Sequence, residues 1–173
     1  MIDFILGGAR SGKSALAEQR AQVYSDKNKI YIATAQAYDS EMRDRIAHHR
    51  RQRSQDWTVV EEPIELAKEI KKYDDPRNII LVDCLTLWMS NLLMLDSWET
   101  GKAKIGELMV NLPYLKAKNI LVSNETGLGV VPVGQLIRQF VDESGRLHQQ
   151  IGKIADRVTF CVAGFPMILK GSI

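Results

Sequence analysis

The first fourteen residues constrain the fold more tightly than any other part of the chain. Residues 2–6 are a short apolar run broken only by Asp3. Gly7-Gly8-Ala9-Arg10-Ser11-Gly12-Lys13-Ser14 follows at once, and helix-forming residues begin at Ala15. The octet fits G-x-x-x-x-G-K-[ST], and its position between a strand and a helix is what marks a phosphate-binding loop. The residue types serve that chemistry. Glycines let the backbone turn tightly and aim several N–H groups at phosphate oxygens, while the helix N-terminus adds a positive partial charge. Lys13 is expected to reach the β- and γ-phosphates, and the Ser14 hydroxyl to ligate Mg²⁺. At average residue usage the four specified positions match by chance in roughly one sequence of this length in a hundred.

The rest of the chain continues the alternation that the loop begins. Strand-like runs lie at 2–6, 29–33, 57–60, 78–83, 119–123 and 157–163, each short, apolar and rich in Ile, Val and Leu. Several show little alternation, which suits strands covered on both faces, as in a parallel sheet. Helices are expected at 13–24, 40–53, 63–72, 85–95, 102–116 and 134–156. Pro113 should stop or kink the fifth of these, and Gly145 and Gly152 weigh against an unbroken sixth. The pattern predicts a single α/β domain over 1–173, with a mainly parallel sheet flanked by helices.

Composition narrows the class. The 173 residues carry 23 Lys+Arg against 21 Asp+Glu, a net +2, with 45% hydrophobic and 25% charged residues. That balance excludes a disordered chain and disfavours a generally basic nucleic-acid binder. Cys84 and Cys161 each sit in or beside an apolar run and read as buried thiols rather than metal or redox ligands. No apolar stretch approaches the roughly 20 residues of a membrane span, and the chain is expected to be cytoplasmic.

The run at 78–83 ends in Asp83, which makes that carboxylate the candidate for the second Mg²⁺ contact. Glu125 and Thr126 lie beyond a later strand end, where open parallel sheets place ligands. No N-K-x-D motif follows that strand, so a GTPase switch is disfavoured. A small-molecule phosphotransferase or nucleotidyltransferase leads.

The segment 43–53 holds five Arg and one Asp, a local +4, and two of the three histidines, His48 and His49. It reads either as a solvated basic helix, a nucleic-acid track included, or as a phosphate-handling helix. In the second reading arginines clamp polyphosphate and a neutral imidazole attacks phosphorus. On a helix Met42, Ile46 and His49 share a face, and His48 lies about 100° away toward the polar side. This leans toward His48 without deciding the matter. His148 is expected to be an ordinary surface or packing residue.

Taken together, GGARSGKS at 7–14, YIATAQAYDSEMRDRIAHHRRQR at 31–53, VDCLTLWMSNLL at 82–93 and the stretch 122–164 beginning VSNETGLGVVP resemble a known family. It is the bifunctional adenosylcobinamide kinase/adenosylcobinamide-phosphate guanylyltransferase family of cobalamin biosynthesis. The resemblance implies a RecA-like P-loop NTPase fold, a homotrimer, and two reactions. In the first, ATP or GTP phosphorylates adenosylcobinamide. In the second, GTP donates GMP to adenosylcobinamide phosphate through a guanylylated histidine, which by similarity is His48. Nucleotide contacts are implied at the loop residues 7–14, at Ile32, Ala33 and Thr34, at His49, Arg50, Arg51 and Gln52, and at Glu61 and Asp83. Competing readings are a P-loop kinase for another small metabolite and an ATPase that runs on nucleic acid.

Overall fold

The computed structural model describes residues 1–36 and 56–172. The expected helix at 40–53, with His48, His49, Arg50, Arg51 and Gln52, lies outside these residues. One seven-stranded sheet organises the rest, in the order β3-β2-β4-β5-β1-β6-β7. The strands are β1 (Ile2–Gly7), β2 (Asn28–Ala33), β3 (Trp57–Glu61), β4 (Asn78–Asp83), β5 (Lys118–Asn124), β6 (Arg157–Val162) and β7 (Phe165–Lys170). All neighbouring pairs are parallel except β6–β7.

The continuous apolar runs are explained by burial on both faces. In β4, Ile80 and Val82 join one core cluster while Ile79 and Leu81 join the other. In β1, Phe4 and Ile5 divide in the same way, both fully buried. Among the described helices, α1 (Lys13–Gln22) covers one face with Ala17 and Ala21. The other face is covered by α2 (Leu66–Lys72), α3 (Leu85–Leu93), α4 (Trp98–Asn111) and α5 (Gln135–Ile154). These four supply Leu66, Ile70, Trp88, Leu92, Leu108, Leu147 and Ile151. Each large side chain so buried contributes about 1.5–3 kcal/mol relative to exposure.

Three ionic side chains fasten the opposite end of the sheet. Asp3, buried in β1, accepts from Arg20 of α1 at 2.7 Å and also from Arg157 at the start of β6. Arg20 donates as well to Thr159 at 2.9 Å.

Several boundaries differ from the sequence expectation, each for a local reason. The helix foreseen at 102–116 starts earlier, where the Ser97 side chain accepts the Glu99 N–H at 3.2 Å. It stops at Asn111, and Pro113 falls in a 3₁₀ turn, Leu112–Tyr114, in keeping with proline's missing N–H. The last helix runs unbroken through Gly145 and Gly152, because burial of Ser144, Leu147 and Ile151 outweighs glycine's weak propensity. The first helix ends at Gln22 rather than residue 24, and the helix expected at 63–72 begins at Leu66. Strand β7 was not expected, since Phe165, Met167 and Leu169 are exposed and leave no buried pattern to read.

Candidate nucleotide site at the strand ends

Among the described residues, those expected to contact nucleotide lie at or next to the carboxyl ends of the parallel strands. Ala33, closing β2, pairs in register with Glu61 on β3 and with Asp83 on β4. Gly7, closing β1, pairs with Asn124 on β5 and Cys161 on β6. Strand β5 separates the loop strand from the Asp83 strand. Two rows of strand ends thus form one edge, and α1 begins from it at Lys13.

The loop's glycines are required by space and by backbone angle. A Cβ on Gly7 would come within 2.4 Å of Ser11 Oγ and 2.7 Å of the Cys161 carbonyl oxygen. Gly12 adopts φ +92°, and a Cβ there would lie 3.2 Å from Gly164 Cα. The first position therefore needs closeness to β6, and the second needs the left-handed region that glycine visits freely. Arg10 also sits at positive φ, +56°. Gly164, in the β6–β7 turn, donates its N–H to the Ser11 carbonyl at 3.0 Å, and Glu125 donates its own to Gly7 at 3.0 Å. The loop is held from both neighbouring strands. Ser11 Oγ is buried and has no hydrogen-bond partner among the described residues.

Lys13 is nearly buried, and its Nζ donates to the Gly8 carbonyl at 3.1 Å. The ammonium is therefore already held inside the loop. A polyphosphate there would offer it charged oxygens in place of one neutral carbonyl, a stronger interaction. Gly8 leaves open space where a side chain would stand, so phosphate can approach the backbone closely.

At the second row, Tyr31 Oη donates to Asp83 Oδ2 at 2.7 Å. That bond fixes the carboxylate and leaves its other oxygen for a ligand. Thr34 is fully buried. Its hydroxyl donates to the Cys84 carbonyl at 2.7 Å and accepts the Cys84 N–H at 3.0 Å. The Thr34 carbonyl in turn accepts from Asn91 Nδ2 at 2.8 Å, and the same amide reaches the Pro63 carbonyl at 3.1 Å. Thr34 and Ile32 are thus packed into the framework, while Glu61 is exposed and Ala33 half-buried. Cys84 and Cys161 are free, buried thiols. Burial, helped by the Asp83 charge, pushes the Cys84 thiol up to about 11.

The donors available for Mg²⁺ fit that ion. Ser14 offers a hydroxyl in the first turn of α1, and Asp83 a carboxylate oxygen that Tyr31 does not occupy. Hard oxygen donors, few in number, suit an ion that takes one or two protein ligands and completes its shell with phosphate and water. Among the described residues no group of three or more His, Cys, Asp and Glu could hold a metal by itself.

The sequence left His148 open between a surface and a packing residue, and the structure places it as the second. His148 is not at the surface, because its side chain is only 10% exposed. Its Nε2 lies 2.8 Å from Ser123 Oγ and its Nδ1 3.8 Å from Glu125 Oε2, and the Phe4 ring is 5.6 Å away. Burial lowers its pKa from the ordinary histidine value, with Glu125 opposing. On the helix, Ser144, Leu147 and Ile151 mark the inward face, and His148 follows Leu147 directly. That neighbourhood was the available signal.

Comparisons with known proteins agree on the fold. At 13% identity the chain is similar to a KaiC-like protein from Pyrococcus horikoshii OT3, with a TM-score of 0.53 over 92% of this chain and 69% of that one. At the same identity it is similar to the flagellar accessory protein FlaH from Methanocaldococcus jannaschii, with a TM-score of 0.55 over 99% and 78%. These likenesses show an α/β P-loop NTPase fold of the RecA-like kind. Sequence relatives are far nearer. The bifunctional adenosylcobalamin biosynthesis protein CobP of Pseudomonas aeruginosa is 53% identical over 171 residues, 99% of this chain and 98% of that protein. The bifunctional adenosylcobalamin biosynthesis protein CobU of Escherichia coli is 36% identical, with 98% of this chain and 100% of that protein covered. With a match to the family's own sequence pattern over residues 3–169, this chain belongs to the cobinamide kinase / cobinamide phosphate guanyltransferase family.

Proposed function

We propose that this chain carries out both family reactions at one nucleotide site. It phosphorylates adenosylcobinamide with ATP or GTP, then transfers GMP from GTP to adenosylcobinamide phosphate to give adenosyl-GDP-cobinamide. The observation that carries this reading is the full-length family match on a chain whose phosphate loop and Asp83 share one strand-end edge. In the kinase step, the loop N–H groups and Lys13 bind the β- and γ-phosphates, and Ser14 and Asp83 would hold Mg²⁺. That ion supplies charge neutralisation and fixes the phosphates when bound.

The transferase step needs a nucleophile. His48 is the proposed one, with His49, Arg50, Arg51, Gln52 and Glu61 as further nucleotide contacts. A neutral imidazole nitrogen forms a bond to the α-phosphorus while the bond to the pyrophosphate oxygen breaks. The phosphate oxygen of adenosylcobinamide phosphate then displaces the histidine. Two successive displacements imply ping-pong kinetics. A homotrimer and a cytoplasmic location are part of the same proposal. Among the described residues no helix is long and apolar enough to cross a membrane. Exposed Leu128, Val130, Val131, Val133, Leu136 and Ile137 offer an apolar surface for a neighbouring subunit or the corrinoid.

The test uses GTP labelled in its α-phosphate. An acid-labile label on the wild-type protein that is absent from His48→Ala is expected. Folded wild-type protein that takes up no label removes the transferase half and leaves a kinase for a small metabolite.

A further inference from the structure

Ser123, Glu125 and His148 share the strand-end edge with the phosphate loop, and neither reaction above uses them. Ser123 is fully buried and pairs in register with Leu6, the residue before the loop. Its hydroxyl lies 3.1 Å from Thr86 Oγ1 and 2.8 Å from His148 Nε2. Thr86 Oγ1 already accepts the Asn124 N–H at 2.6 Å. The geometry fits donation in either direction along this chain, and the direction Thr86 to Ser123 to Nε2 belongs to the proposal that follows. In that direction the ring proton sits on Nδ1, which faces Glu125 Oε2 at 3.8 Å. Glu125 is tied to the loop through its N–H on the Gly7 carbonyl at 3.0 Å, and its Oε1 accepts the Gly127 N–H at 2.5 Å.

We propose that His148 is a positioning residue of the kinase step, holding the Glu125 carboxylate at the rim of the phosphate loop, where Glu125 receives the proton of the acceptor hydroxyl. The inference rests on the kinase reading above. In that step the hydroxyl oxygen bonds to the γ-phosphorus, and the bond from that phosphorus to the β–γ bridging oxygen breaks. The nucleoside diphosphate leaves with the electron pair, and the hydroxyl proton passes to Glu125. An uncharged His148 stands with Nδ1 3.8 Å from this carboxylate, beyond direct hydrogen-bond distance, and bounds its position by contact without neutralising it. A protonated ring would reverse the Ser123 bond and set a full positive charge against Glu125, which weakens the carboxylate as a base. Among the described residues, Glu125 is the charged group that faces the ring. The β1 strand contributes the Phe4 ring and β5 the Ser123 hydroxyl, which the Thr86 hydroxyl of α3 contacts in turn.

The experiment measures kcat and KM for His148→Gln, Glu125→Gln and the double variant with adenosylcobinamide and Mg²⁺·ATP. It also follows the His148 ring nitrogens by NMR in the intact protein. Each single change is expected to lower kcat about 10–100-fold with little change in nucleotide KM. The double variant should fall within about threefold of the worse single one, as expected for residues acting as a unit. The acid limb of the wild-type kcat profile should move to lower pH in His148→Gln. Losses that multiply in the double variant, or a wild-type kcat in His148→Gln, overturn the proposal. Ser123→Ala cuts the same link and decides the matter if His148→Gln does not fold: a kcat loss of about tenfold supports it and an unchanged kcat overturns it. The NMR readout stands apart from the substrate. An Nδ1–H tautomer that responds to Mg²⁺·GTP is expected, and an Nε2–H tautomer or an unresponsive ring overturns the proposal. If the wild-type protein transfers no phosphate to adenosylcobinamide, the functional reading fails and the NMR result still judges the placement.

Discussion

At the residue scale, the loop glycines and His148 show how differently two kinds of position are written in a sequence. Gly7 and Gly12 were legible because few residue types meet their spatial and dihedral demands. Gly12→Ala should cost about 1–3 kcal/mol through its positive φ, on top of its approach to Gly164 at 3.2 Å. The cost is readable as a lowered urea midpoint with an unchanged slope. His148 was legible only as a surface or packing residue, because a single histidine on a helix carries no mark of what crosses over to meet it. Ser123 and Glu125 lie on another element, and only the fold brings them within reach. Its depressed pKa has a stability consequence with a definite sign. Unfolded chains bind the proton more readily than the native state does, so stability is complete above the ordinary histidine value of 6.5 and is lost as pH falls through the native value. His148→Gln should therefore show a smaller drop in Tm than wild type between neutral and mildly acidic buffer. An equal drop in both would place the acid sensitivity elsewhere.

At the element scale, strands buried on both faces were the easiest to foresee, because Ile79–Val82 can sit nowhere else than between two helical layers. The outer hairpin strand β7 was invisible for the complementary reason: its side chains are largely exposed, and only backbone pairing with β6 makes it a strand. Helix α3 illustrates an interaction that periodicity cannot report. Asn91 is 4% exposed in an otherwise apolar face, and its amide satisfies the Thr34 and Pro63 carbonyls. Asn91→Leu keeps the volume but leaves those two buried acceptors without it. A loss of about 1–3 kcal/mol per orphaned group should lower Tm by about 2–4 °C for each kcal/mol in a chain of this size. A variant melting with the wild type would mean that water or relaxation replaces the amide.

At the scale of the whole molecule, the nucleotide is expected to act as a structural component. Anything that binds only the native state stabilises it by mass action, about 2.7 kcal/mol at a hundred times its Kd. Mg²⁺·GTP should therefore raise Tm in a concentration-dependent way, and Lys13→Ala should abolish most of that rise. A shift that survives in Lys13→Ala would locate the nucleotide away from the loop.

The turn that joins β6 to β7 carries a consequence for how the protein comes into being. Gly164 holds the Ser11 carbonyl, and β1 lies between β5 and β6. The phosphate cradle can gain β5 once synthesis passes residue 124, but it gains β6 and the Gly164 contact only once synthesis passes residue 164. Contacts so distant in sequence form late and slowly. Stalled ribosomes bearing chains that end before this turn should retain no labelled GTP, and capture should begin abruptly once the hairpin has emerged from the exit tunnel.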